Sequence, residues 1–103
     1  MGNFPTIDTV SNTKMNETLR SLISEKFKNT PLGFLRIKKN LRKSEFTDNE
    51  IEMYLRMIII STPLEDITTK GKNHYFKCCE HNSILTINAN TFTVITAKQI
   101  GKT

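Results

Sequence analysis

The chain has 103 residues, of which 37% are hydrophobic and 24% are charged, so it is long enough for one folded core and too apolar to stay disordered. Fifteen Lys and Arg against ten Asp and Glu give a formal net charge of +5, which favours polyanions as partners. With only two cysteines, this composition excludes a multidomain enzyme, a low-complexity polymer and a disulfide-stapled miniprotein.

No segment of the sequence resembles a membrane span or a secretory signal. The longest uninterrupted apolar run, at residues 57–60, is far shorter than the roughly 20 residues that cross a bilayer. The first dozen residues lack a cationic start followed by an apolar block. We therefore expect a cytoplasmic protein with no membrane partner, in which residues 1–12 form a flexible arm and residues 13–103 a single domain.

Three helices are predicted in the first part of the chain. Apolar residues at spacings of three and four predict the first helix over residues 13–28. Thr30 followed by Pro31 is typical of an N-cap with proline at the first helical position, and predicts a second helix of about three turns. Thr47 and Glu50 form a capping-box signature for a third helix, which Pro63 ends.

Beyond residue 64 the sequence is rich in Thr, Ile, Val and aromatic residues with period-two alternation, which is typical of strands. We predict strands over residues 64–69, 74–80, 84–88 and 91–98, the last two joined as a hairpin around residues 89–90. The predicted fold class is α+β, with three N-terminal helices packed on a C-terminal antiparallel β-meander of three to four strands. The helices should cover one face of the sheet, because an isolated meander buries too little apolar area.

The most basic segment lies on the predicted second helix. Five cations occur within eight residues and no acid lies among them: Arg36, Lys38, Lys39, Arg42 and Lys43. At helical spacing, Arg36, Lys39 and Lys43 share one side, with the other two in an adjacent row. Such a ridge binds phosphates without sequence specificity, or else simply solvates a helix face and its C-terminal dipole. Four lysines of the sheet half would extend the ridge if their strand ends lie near this helix: Lys70, Lys72, Lys77 and Lys98.

One cluster of soft metal ligands is present: His74, Cys78, Cys79 and His81. Alternation along a strand would direct the first two side chains to one face and the last two to the other, so one metal ion could not reach all four. The spacing also lacks the longer insertion between ligand pairs that zinc sites contain. We predict no metal site and no cofactor, with one cysteine buried and the other an exposed thiol.

Two alternatives to a binding protein follow from other residues. His74 and His81, near several lysines, suggest a metal-independent ribonuclease-like toxin with histidine as the proton donor or acceptor. The sequence contains no Ser-His-Asp, HExxH, P-loop or paired-carboxylate signature, so we expect no catalytic residues. The strong β propensity of residues 84–97 suggests instead an oligomerising structural module, or a homodimer formed through the edge of the C-terminal strand.

Several aromatic residues could stack on unpaired bases if they are exposed beside the lysines. The candidates are Tyr54, Tyr75, Phe76 and Phe92. Core packing is expected for Phe76, whereas Tyr75 and Phe92 are the two whose exposure should be tested.

Three segments, at residues 30–41, 71–75 and 87–97, resemble an uncharacterised family of short bacterial proteins. That family has a Leu-Gly-x-x-Arg-Ile segment near its start and an Ile-Thr-Ala-His segment near its end. The resemblance covers about residues 30 to 100 and implies that Gly33 and Arg36 belong to a shared element. Lys98 stands where the family has histidine, which further weakens the ribonuclease interpretation. The resemblance implies no activity.

The overall profile is similar to that of inhibitors encoded by phages and plasmids, including anti-CRISPR proteins. The chain is small and basic, and it is rich in Lys, Ile and Asn, whose codons are AT-rich. Our leading hypothesis is a non-enzymatic protein that acts on RNA or a nucleoprotein, most concretely an inhibitor of a type II RNA-guided nuclease complex. The cations at residues 36–43 would form its contact face.

Overall fold

The second and third helices begin where their capping residues predict. The computed structural model describes residues 15–101, and the predicted arm at residues 1–12 lies outside them. Helix α1 spans Glu17–Lys26, α2 spans Pro31–Asn40 and α3 spans Asp48–Ser61. None of these helices is long and apolar enough to span a membrane.

Side-chain caps fix the start of each helix. Thr30 accepts a hydrogen bond from the Gly33 N–H at 3.0 Å, with Pro31 at the first helical position. The Thr47 hydroxyl accepts from the Glu50 N–H at 3.1 Å, and the Glu50 carboxylate accepts from the Thr47 N–H at 2.8 Å. Both predicted caps are confirmed. Helix α1 begins later than predicted, because Asn16 caps it by accepting from the Leu19 N–H.

Four antiparallel strands follow the helices in simple meander order. Strand β1 spans Ile67–Lys70, β2 spans Asn73–Cys78, β3 spans Ser83–Asn88 and β4 spans Val94–Gln99. The sheet order is β1-β2-β3-β4, with β1 and β4 at the edges. The predicted α+β arrangement of three helices and a β-meander is confirmed.

Three strand boundaries differ from the prediction by two or three residues, each for a local reason. Residues Leu64–Asp66 form a 3-10 turn after Pro63 rather than the start of β1. Strand β2 ends two residues early, because a turn closes with Asn82 in the left-handed region at φ 50°. Strand β4 begins at Val94 rather than residue 91, because the Asn88 side chain accepts hydrogen bonds from the backbone of residues 90 and 91 and holds a longer loop.

One face of the sheet packs against the helices and the other stays open. Phe76, Leu85 and Ala97 are directly opposite one another on adjacent strands, and all three are fully buried. Helix α3 packs on β2 and β3, and α2 packs on β4. Alternation places the neighbours of this buried row on the other side of the sheet, which we call the open face. The helices therefore cover one face, as predicted.

The packing makes a direct prediction for two adjacent residues of β3. Leu85→Ala should lower the free energy of unfolding by about 2–5 kcal/mol, since it leaves a cavity in the core. Ile84→Ala, the matched control on the open face, should cost far less. Urea denaturation of both variants measures the difference, and equal losses would contradict the assigned register.

Candidate nucleic-acid interface

The C-terminus of α2 changes the predicted ridge of five cations. The helix ends at Asn40, and Arg42 takes a left-handed conformation at φ 60°. Its N–H donates to the Lys39 carbonyl at 3.2 Å, and the Lys43 N–H donates to the Lys38 carbonyl at 2.8 Å. This is a Schellman motif with arginine in the position that glycine usually occupies. Arg42 and Lys43 therefore leave the helical rows in which the sequence placed them.

Two of the five cations are engaged within the protein. The Lys38 ammonium lies 2.8 Å from an Asp48 carboxylate oxygen at the start of α3. The Lys43 ammonium lies 4.7 Å from the Tyr54 ring centroid and 5.0 Å from that of Phe46, within cation–π range. The five cations therefore do not form one free ridge, because these two side chains connect α2 to α3.

The other three cations are free to meet a ligand. Arg36, Lys39 and Arg42 are exposed, and within residues 15–101 none of them takes part in a salt bridge.

The lysines of the strands all lie on the open face. Lys77 is directly opposite Ile84, and Ile84 is directly opposite Lys98, so the two lysines share one cross-strand row about 10 Å apart. Lys70 has the same orientation on β1, since it alternates with the buried Ile67. Within the described residues, none of the four strands contains Asp or Glu. The open face is therefore cationic.

Lys98 is the point where the strand lysines meet the cations of α2. A shallow pocket of about 390 Å³ lies between the end of α2 and the end of β4. Arg42 and Lys98 both line it, together with Asn40, Gln99, Ile100 and Gly101. The sequence could not show this juxtaposition, because the two cations are 56 positions apart.

Only two of the four lysines in the sheet half extend the group of exposed cations on α2. Lys77 and Lys98 lie at the end of the sheet near Arg42. Lys70 and Lys72 flank the β1–β2 turn at the opposite end, where the Lys72 carbonyl accepts from the Ala89 N–H at 2.7 Å. We define the basic surface as Arg36, Lys39, Arg42, Lys77 and Lys98. Lys70 and Lys72 do not belong to it.

The two histidines are not brought together. His74 lies near the start of β2, is 5% exposed, and has its Nδ1 2.7 Å from the Thr69 hydroxyl. His81 follows the other end of β2 and packs edge-on against Tyr54. The four residue steps from His74 to Cys78 alone span about 13 Å. They therefore cannot flank one phosphate as an acid–base pair, and the ribonuclease alternative gains no support.

The cysteines behave as the sequence predicted. Cys78 is buried on the helical side of β2, Cys79 is exposed beyond the strand, and both are free thiols. Within the described residues there is no group of three or more side chains that could hold a metal ion.

An exposed apolar stripe on α3 was not predicted from the sequence. Met53, Met57 and Ile60 are about half exposed on the side of the helix away from the core, and they line a groove of about 380 Å³ with Arg56 and Ser61. Their spacing of four and three residues, offset from the buried stripe of the same helix, was the available signal. The stripe lies on the helical side of the sheet, away from the open face.

Comparison with known proteins identifies a family for this chain but no activity. A family model described as "Protein of unknown function (DUF3781)" matches residues 21–98. The chain belongs to this family. The predicted membership of an uncharacterised family is thereby confirmed. The matched region contains every residue of the basic surface. No curated protein and no solved structure matches the chain.

The buried His74 predicts how stability depends on pH. Burial lowers the pKa of His74 below its ordinary value of 6.5, because the charged form is poorly solvated there. Below pH 6.5 the unfolded chain binds a proton at this residue, whereas the folded protein does so only at lower pH. The free energy of unfolding therefore decreases as the pH is lowered. Above pH 6.5 the contribution is fully present.

The measurement is urea denaturation between pH 7.5 and 5, with His74→Gln as the comparison. On acidification, the free energy of unfolding should decrease less in the variant than in the wild type. If both proteins lose stability in parallel, His74 is not the group responsible.

Proposed function

We propose that this DUF3781 protein is a non-enzymatic, cytoplasmic binding protein that acts on RNA or a nucleoprotein through the basic surface. The observation that carries the proposal is the pocket shared by Arg42 and Lys98. It joins the free cations of α2 to a sheet face whose strands contain lysines and no acids.

The free cations are the ones suited to phosphate binding. A cation already paired inside the protein, such as Lys38, would have to break its contact with Asp48 before it gained one with a phosphate. The five residues of the basic surface lack such partners within the described chain. Each phosphate neutralised on single-stranded nucleic acid changes the slope of log K against log salt by about −0.7, so five contacts give a slope of about −3.5.

The most specific form of the proposal is an anti-CRISPR-type inhibitor of a type II RNA-guided nuclease. It is supported by the small size, the net charge of +5 and the composition of the chain. A basic surface of this kind would compete for guide RNA before the nuclease is loaded, or engage RNA in the assembled complex. The test is DNA cleavage by such a nuclease with the protein added before or after guide loading. Undiminished cleavage in both orders would reject this form alone.

Charge reversal tests the basic surface directly. The triple variant Arg36→Glu, Lys39→Glu, Arg42→Glu should weaken RNA binding at least tenfold, because phosphate attraction becomes repulsion. The matched control changes the net charge equally at the opposite end of the sheet: Lys26→Glu, Lys28→Glu, Lys72→Glu. Fluorescence anisotropy with labelled RNA measures binding, and circular dichroism verifies folding. Equal weakening in both triple variants would contradict a localised contact face.

Arg42 offers a variant that separates stability from binding. Arg42→Gly should raise the free energy of unfolding by up to about 1 kcal/mol, because glycine adopts the left-handed conformation without steric cost. The same change should weaken RNA binding and reduce the salt slope by about 0.7, since one phosphate contact is lost. Urea denaturation and a salt titration of binding measure the two effects. A parallel loss of stability and binding would contradict this assignment.

A further inference from the structure

Within the part of the chain that the structure describes, the strands place one aromatic side chain, Tyr75, near the centre of the open face. Tyr75 lies on the inner strand β2, directly opposite Thr68 on one side and Thr86 on the other, and Thr86 is opposite Thr96 on β4. Of the other Phe and Tyr residues within positions 15–101, only Phe76 belongs to a strand, and it is buried on the helical side. Tyr75 is half-buried, Thr68 beside it is exposed and Thr86 is only 6% exposed, so the ring is accessible from the Thr68 side of the row.

Tyr75 has no part in the packing that holds the fold together. In the described chain, Tyr54 and Phe92 pack against the hydrophobic core, whereas Tyr75 neither belongs to that core nor packs on it. Tyr54 also donates a hydrogen bond to the His81 carbonyl at 3.4 Å. Core packing therefore accounts for three of the four aromatic candidates for base stacking, and it does not account for Tyr75.

The surroundings of Tyr75 are complementary to a nucleic-acid strand. Lys77 is two residues away on the same face, at a distance of about 7 Å along the strand, and Lys98 lies in the same row as Lys77. The absence of Asp and Glu from the four strands means that no carboxylate of the sheet opposes a phosphate there. The face thus offers one stacking surface beside two cations.

We infer that the open face binds single-stranded RNA, with an unpaired base stacked on Tyr75 and the adjoining phosphates on Lys77 and Lys98. The inference rests on the proposed function and narrows its ligand. A sheet bearing exposed aromatic side chains binds unpaired bases by stacking, whereas a duplex presents no free base face to it. Duplex RNA would contact the basic surface through phosphates alone.

The experiment compares a 12-nucleotide polyuridine with a 12-base-pair RNA duplex by fluorescence anisotropy at one salt concentration. The wild type should bind the single strand at least tenfold more tightly. Tyr75→Ala should weaken binding to polyuridine about tenfold and leave duplex binding unchanged, since one stacked base is lost. Thr68→Ala, in the same row, and Tyr75→Phe, which keeps the ring, should each bind polyuridine within twofold of the wild type.

A spectroscopic measurement covers the case in which Tyr75→Ala does not fold. The chain has no tryptophan and two tyrosines, so polyuridine should quench tyrosine fluorescence in the wild type and quench it much less in Tyr75→Phe, which retains only Tyr54. Equal quenching in both proteins overturns the stacking assignment. If both RNAs bind and Tyr75→Ala binds each as the wild type does, RNA binding stands and stacking is rejected. If neither RNA binds, both the inference and the proposed function fail.

Discussion

Burial of one sheet face against α3 is the constraint on which the rest of the structure depends. Phe76 and Leu85 are directly opposite each other and fully buried, and they pack under the buried side of α3. Because side chains alternate along a strand, fixing these two residues on the helical side fixes their neighbours on the other. A slip of one residue would place lysines in the core. The cationic character of the open face is therefore a consequence of the register of the hydrophobic core.

At the end of α2, the residue that suits the fold differs from the residue that suits the candidate site. Glycine would fit the backbone conformation of Arg42, whereas the candidate site would use its positive charge. A Schellman motif needs a left-handed residue, and arginine there costs about 1–2 kcal/mol relative to a right-handed conformation. The contacts of Lys38 with Asp48 and of Lys43 with Tyr54 hold the turn between α2 and α3. Arg42, between these two contacts in the sequence, lines the same pocket as Lys98.

Most of the fold could be predicted from the sequence, because its signals are local. Thr30 and Thr47 predict where two helices begin, and the alternation of apolar residues around Phe76 predicts which side of the strand is buried. The errors occurred where a tertiary contact decides the outcome. Nothing near Lys43 in the sequence shows that its ammonium lies over the ring of Tyr54. The site was harder still, since joining Arg42 to Lys98 requires the strand register and the packing of α2 on β4.

The two faces of the sheet also differ in how far their residues can be mutated without loss of stability. Core positions such as Leu85 carry the stability of the whole domain, so changes there alter every property at once. Tyr75, Lys77 and Lys98 lie on the opposite side of the same strands and outside the hydrophobic core. The side chains of Lys77 and Lys98 are exposed and can change without loss of packing, so an effect on binding would be attributable to the open face itself. A fold that separates its core from its exposed cations in this way allows the open face to vary while α3 and the buried row hold the sheet in place.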